Sequence, residues 1–223
     1  GSIAGDAAGF FGLGIADAVD SGRIPAAAAA TREAGVWNVP TQSLIDHWFA
    51  PSPTAEELAA RPEMAYVAPA ALQQWVQSKR QVTGAPEYSA ADARRLVEVR
   101  RELIKALHDA GAGLLLGSDA PQVFNVPGFS IHRELASLDA AGLGPYDALR
   151  TGTANPAIFF EAQDVFGTIR EGLAADLVLV DGNPLEDATA LGRPAGVMVR
   201  GRWLDRAELD ARLRQIEARY GER

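Results

Sequence analysis

One short apolar run, Gly113-Leu114-Leu115-Leu116-Gly117, constrains this chain more than any other feature. It follows the amphipathic stretch 90–110 and breaks off at Ser118-Asp119-Ala120-Pro121. An unbroken apolar stretch of this length reads as a strand buried on both faces, as in a parallel sheet covered by helices. The expected fold class is therefore α/β. A second strand, Val36-Trp37-Asn38-Val39, is stopped by Pro40. It follows a helix expected over 24–34, with Pro25 in the first turn and Gly35 closing it.

Between and after these strands the pattern is mostly helical. Helices are expected over 55–60 and 71–80, set apart by Pro62 and Pro69. A longer one covers 90–110, with Ser89 as its N-cap, Asp92 three residues on, and an apolar stripe of Leu96, Val99, Leu103 and Leu107. Ser130 is placed to cap a helix over 131–141, Pro145 opens another, and Asn155-Pro156 restarts a turn. The last third changes character, with a strand over 175–181 ended by Gly182-Asn183-Pro184, and a hairpin of 196–200 with 202–204 about Gly201. Asp205 and Glu208 then begin a final helix.

Composition removes several function classes. Lys and Arg number 21 against 29 Asp and Glu, a formal charge of −8, which is the wrong sign for a nucleic-acid partner. With no cysteine, thiolate catalysis and cysteine-held metal centres are impossible. No run of about 18 apolar residues is present to span a membrane. The compartment stays undecided, with the cytoplasm as the default expectation. In the small-residue lead-in 1–22, Gly12-Leu13-Gly14 lacks the third glycine of a dinucleotide loop, because Asp17 stands there.

Among polar residues Asp119 carries the most information. It directly follows a buried strand, where α/β folds expose side chains at the carboxyl end of the sheet. A carboxylate there can hold a divalent metal or act as a general base, and it can equally cap the following turn. The histidines His47, His108 and His132 stand too far apart for a His-x-His or His-x-x-x-His pair. His108 reads as a half-buried structural residue, and the local pattern gives His47 no partner. His132, thirteen residues after Asp119, can return to the same mouth. Ser118 is not a nucleophile elbow, since no glycine stands two residues after it.

Two linked stretches carry a resemblance. Gly117-Ser118-Asp119-Ala120-Pro121 with Gly128-Phe129-Ser130-Ile131-His132-Arg133-Glu134-Leu135 resembles the last barrel strand and helix of the amidohydrolase superfamily. Ala141-Gly142-Leu143-Gly144-Pro145 and Thr153-Ala154-Asn155-Pro156-Ala157 are similar to that family's run into domain closure. Gly172-Leu173-Ala174-Ala175-Asp176-Leu177-Val178-Leu179-Val180-Asp181 and Val197-Met198-Val199-Arg200-Gly201-Arg202 resemble the strands of its composite β-domain. The tone is closest to imidazolonepropionase-like and prolidase-like hydrolases.

The resemblance implies the C-terminal part of a (β/α)8 metal-dependent hydrolase barrel plus part of a composite β-sandwich-like domain. It divides the chain into a lead-in (1–22), barrel elements (23–160) and composite β-domain with final helix (161–223). It implies hydrolysis of a non-peptide or dipeptide C–N bond of a small-molecule substrate by water activated on a divalent metal, commonly zinc. Asp119 takes the role of catalytic base and metal contact, and His132 and Thr41 stand at the substrate-binding mouth. The family's remaining metal ligands, His-x-His foremost, have no counterpart in this sequence. The chain is therefore expected to be inactive alone and to associate with an N-terminal half or with copies of itself. The competing reading is a non-catalytic binding or assembly module of the same architecture.

Overall fold

The computed structural model describes residues 9–186 and 188–221, so the first eight residues of the lead-in lie outside the described residues. Phe10–Ala18 winds as 3-10 helix, kinked at Phe11 and Gly12, and a second short 3-10 turn covers Ser21–Arg23. There follow α1 (Ile24–Glu33), β1 (Trp37–Asn38), α2 (Gln42–Trp48), α3 (Ala55–Ala59), a 3-10 turn over Pro62–Tyr66 and α4 (Pro69–Thr83). Next come α5 (Ala90–Asp109), β2 (Gly113–Leu114), α6 (Ser130–Ala140), α7 (Pro145–Thr151) and α8 (Ala154–Phe159). The chain ends with β3 (Leu177–Leu179), β4 (Gly196–Val199), β5 (Arg202–Asp205) and α9 (Arg206–Gly221). No helix among the described residues is long and apolar enough to cross a membrane.

The fold is mixed α/β. β1 and β2 pair in parallel, Trp37 against Gly113 and Asn38 against Leu114. The Leu115 N–H donates to Asn38 O at 2.9 Å, and the next amide, Leu116, turns away to Thr151 O. The regular pairing covers Gly113 and Leu114, and ends two residues before the apolar run does. The pairing also explains Gly113: a Cβ there would sit 2.3 Å from the Trp37 ring. Gly113→Ala is accordingly expected to cost about 1–3 kcal/mol by overpacking, read as a lower urea midpoint with an unchanged slope.

Helices cover β2, whereas both residues of β1 are half-buried. Ala28 of α1, Ile104 and Leu107 of α5, Leu114 of β2, Leu135 and Leu138 of α6 and Ala148 of α7 form one core. A second core joins Leu44, Leu58, Met64 and Val67 to Val123, Phe124 and Val126 of the loop after β2. A third sets Ala16 of the lead-in against Ile45, Phe49, Leu96 and Val97. The lead-in is thus packed onto α5.

Several sequence expectations shift by a residue or more. α5 is capped as expected, Ser89 Oγ accepting the Asp92 N–H at 3.2 Å. Its buried face is Ala93, Leu96, Val97, Ile104 and Leu107, while Leu103 points outward. The helix packs on two sides, against the lead-in and against α6, so its apolar surface is wider than one stripe. Ser130 is the first residue inside α6 and not its cap, because its hydroxyl is spent on Val126 O and Ser118 Oγ. α2 forms where no helix is expected, and Pro69 opens α4 from within its first turn.

The C-terminal strands form a separate antiparallel sheet in the order β3-β4-β5. The β4–β5 pair is the expected hairpin, with Met198 opposite Trp203. Asp205 caps α9 through the Glu208 N–H at 2.8 Å, and α9 packs beside Pro62–Tyr66. Leu177, Val178 and Leu179 of β3 are all exposed.

Candidate functional site

Both parallel strands discharge into strained backbone at their carboxyl ends. Thr41, three residues beyond β1, has φ +49°, and Asp119, five beyond β2, has φ +55°. Left-handed non-glycine residues cost of order 1–3 kcal/mol each and gather at functional sites. The Asp119 carboxylate is exposed, and its Oδ2 accepts one hydrogen bond, from Gln122 Nε2 at 2.7 Å. Thr41 stands at the start of α2 without capping it through its side chain. His132, in the first turn of α6, is half-buried; burial lowers its pKa, and its Nδ1 has no hydrogen-bond partner. Asp119, Thr41 and His132 all lie on segments that leave the carboxyl ends of β1 and β2, and no direct hydrogen bond joins any two of them.

What does join those segments is a set of buried polar residues the sequence left unremarked. Glu134 is fully buried, and its two carboxylate oxygens accept the backbone N–H groups of Gln42 at 2.9 Å and Ser43 at 2.7 Å. Burial pushes its pKa up against the downward pull of those amides. One carboxylate on α6 thus caps α2 from 92 residues away. Gln42 in turn accepts from Arg100 Nε at 3.0 Å, and Arg100 Nη2 donates to Pro40 O at 2.6 Å.

The second set runs through His47, which does have partners. Arg61 Nη1 lies 3.0 Å from His47 Nε2, and His47 Nδ1 lies 3.3 Å from Asn125 Oδ1. A guanidinium can only donate, so Nε2 carries the lone pair and Nδ1 carries the hydrogen given to Asn125. Asn125 Nδ2 then donates to Ser118 O at 2.5 Å. The direction of donation is therefore fixed from Arg61 to the residue that precedes Asp119. Burial first, then Arg61 and Arg133, holds the His47 pKa down at about 3. Lys79, also buried, donates to His47 O at 2.5 Å and Ala50 O at 2.9 Å, and burial draws it down to about 8. Arg133 pairs with Glu63.

A signal for Glu134 was present in the sequence. Ser130, Glu134 and Leu138 repeat every four residues and are all buried, so the carboxylate sits on the apolar side of its own helix.

Chemically, the mouth offers one exposed carboxylate beside a rigid polar layer. A metal site needs about three protein ligands. Among the described residues, no group of three His, Cys, Asp or Glu side chains is placed to hold an ion, so Asp119 would need ligands from elsewhere. A cavity of about 540 Å³ opens at the opposite, amino ends of the strands, lined by Arg32, Trp37, His108 and Asp147 among others. Open parallel sheets place their chemistry at the carboxyl ends, which favours the Asp119 face over that cavity.

Comparison with known proteins bears on this face. The sequence model of the amidohydrolase family matches residues 8–204. Ochratoxinase of Aspergillus niger is 28% identical over 116 residues, 51% of this chain and 23% of that protein. Of solved structures, a bottromycin amidohydrolase superposes with a TM-score of 0.66 at 25% identity, covering 92% of this chain and 46% of its own. A prolidase complexed with N-methylphosphonate-L-proline gives a TM-score of 0.52 at 27% identity, covering 84% and 38%. The chain spans about a quarter of ochratoxinase and less than half of each of these two structures.

Proposed function

Because this chain belongs to the amidohydrolase family, we propose that it supplies the Asp119 face of a hydrolase acting on the C–N bond of an N-acyl amino acid or dipeptide. The observation that carries the reading is Asp119 itself, an exposed carboxylate held left-handed beyond the carboxyl end of β2, within the stretch the family model matches. The pairing of β1 with β2 supports taking them as the last two strands of a (β/α)8 barrel, with β3-β4-β5 as part of a composite β-domain. The prolidase that resembles this chain was captured with N-methylphosphonate-L-proline, which supports a substrate of that size.

A divalent metal, zinc being the usual choice in this family, would supply a Lewis acid. The described residues do not complete its ligand set, so no step is assigned through it. What this chain's residues do is narrower. Asp119 stands ready to take the proton of an attacking water, Gln122 fixes the carboxylate by one oxygen, and the strained turn aims it outward. Thr41 and His132 flank the mouth as substrate-contacting residues.

The test is hydrolysis of N-acyl amino acids and Xaa-Pro dipeptides with added zinc, by this chain alone and joined to the upstream part of a relative. Turnover is expected only in the joined form, and Asp119→Asn should lower kcat at least 10³-fold while the melting temperature moves by no more than about 4 °C. A joined protein in which Asp119→Asn retains turnover removes Asp119 from the chemistry. Comparable turnover by the chain alone shows that it holds a complete ligand set.

A further inference from the structure

Asn125 is fully buried and holds the turn over 118–125 closed from inside. Its backbone N–H donates to Gln122 O at 2.5 Å, and its side-chain Nδ2 donates to Ser118 O at 2.5 Å. Gln122 in turn gives its Nε2 to Asp119 Oδ2 at 2.7 Å. One residue thus grips both the carbonyl before Asp119 and the residue that holds the Asp119 carboxylate. Its chain neighbours Phe124 and Val126 are buried in the second core, which fixes Asn125 to the body of the protein.

The orientation of the Asn125 amide is set from below. His47 gives its Nδ1 hydrogen to Asn125 Oδ1, because Arg61 faces Nε2. The Oδ1 end is thereby committed, and the Nδ2 end is the one that meets Ser118 O. A reversed amide would set oxygen against oxygen at Ser118 and N–H against N–H at His47. Ser118 is held a second time through its Oγ, 2.7 Å from Ser130 Oγ. Thr41, the other left-handed residue at the mouth, is flanked in the same way. Pro40 O accepts from Arg100 Nη2 at 2.6 Å, and the Gln42 N–H donates to Glu134 at 2.9 Å. Beyond both strands, side chains hold the peptides beside a left-handed residue, a conformation that costs free energy when nothing fixes it.

We propose that Asn125 is the positioning residue of Asp119, its bond to Ser118 O keeping Asp119 left-handed with the carboxylate turned outward. The use of that placement, aiming the carboxylate at an attacking water, rests on the hydrolase reading above; the placement itself does not. Asn125 is buried beneath the mouth and acts only through Asp119. A misplacement of about 1 Å is enough to cost about 10²-fold in rate.

Two variants test it. Asn125→Asp keeps the size and the acceptor facing His47 but takes away the donor to Ser118 O. Asn125→Ala takes away the donor without adding a charge, and serves if a buried carboxylate unfolds the chain. Thermal melts check that each is folded. In the 223-residue chain, the strong Overhauser effect between the Asp119 N–H and its own Hα, the mark of a left-handed residue, is expected to vanish in both variants while that of Thr41 stays. In the protein joined to the upstream part of a relative, kcat is expected to fall about 10²-fold with KM within about threefold. Asn125→Asp added to Asp119→Asn should cost nothing further, since it has only Asp119 to act through. An Asp119 signal that survives in a folded Asn125 variant overturns the proposal. So does an undiminished kcat in a joined protein that Asp119→Asn disables, or a loss that adds to that of Asp119→Asn, which makes Asn125 a structural residue only. A joined protein with no turnover, or with turnover indifferent to Asp119, removes the hydrolase reading alone, and the Asp119 backbone signal still decides this inference.

Discussion

Glu134→Ala is expected to destabilise the protein by about 3–5 kcal/mol, a large part of the 5–15 kcal/mol that holds a typical domain together. The side chain is fully buried, and both of its oxygens are engaged by backbone amides at the start of α2. Truncation leaves the Gln42 and Ser43 N–H groups buried, at about 1–3 kcal/mol each, and opens a cavity between α6 and α2. Glu134→Gln keeps one carbonyl acceptor and roughly the same volume, so it should cost markedly less. Burial raises the folded pKa of this group, so the charged form is the disfavoured one in the fold. Its own contribution is therefore whole below the ordinary carboxylate pKa and declines as pH rises through the elevated value. Glu134→Gln, which carries no charge, removes that decline. Urea melts of the three proteins at pH 5 and pH 7 check both points. If alanine and glutamine cost the same, the amide caps are not what the carboxylate provides.

The sequence made the secondary structure readable where the signal is local. Ser89 caps α5 because the capping interaction spans three residues, and the β4–β5 hairpin follows from two short apolar runs about Gly201. The parallel pair was readable because Leu114–Leu116 has no polar position to face water. Its length was not, since the pairing ends at Leu114 while the apolar run continues to Leu116. α2 escaped notice because Gln42, Ser43, Asp46 and His47 look like a solvated loop. Five of its first six residues are nonetheless buried, and the polar three, Gln42, Ser43 and His47, are held by Glu134, Arg100 and Asn125 from 58 to 92 residues away.

The same physics divides the candidate site. Asp119 is legible because its place depends on the strand before it. Arg61, Glu63, Arg133 and Lys79 are not, because single charged residues read as surface until tertiary packing draws them out of water. The local pattern gives His47 no partner for this reason, its partners lying 14 and 78 residues away.

His47 itself should make the protein acid-sensitive in a defined window. In the fold its Nε2 faces the N–H of Arg61, so a proton added there would set donor against donor beside a positive charge, in a site already short of water. Its pKa is therefore held at about 3, against 6.5 ordinarily. Above pH 6.5 the ring is neutral folded and unfolded, and its contribution to stability is whole. As pH falls below 6.5 the unfolded chain gains a proton that the fold refuses, and stability falls by up to about 1.36 kcal/mol per pH unit until the folded pKa is reached. The total descent is on the order of 5 kcal/mol, with about 2 kcal/mol of it complete by pH 5, before ordinary carboxylates titrate. His132, also depressed by burial, adds to the same slope, whereas Glu134 opposes it. Urea midpoints at pH 7, 6 and 5 measure the slope, and His47→Gln should remove most of it while lowering stability at pH 7. A variant that keeps the wild-type slope between pH 6.5 and 5 would place the acid sensitivity elsewhere and break the assigned direction of donation from Arg61 to Ser118.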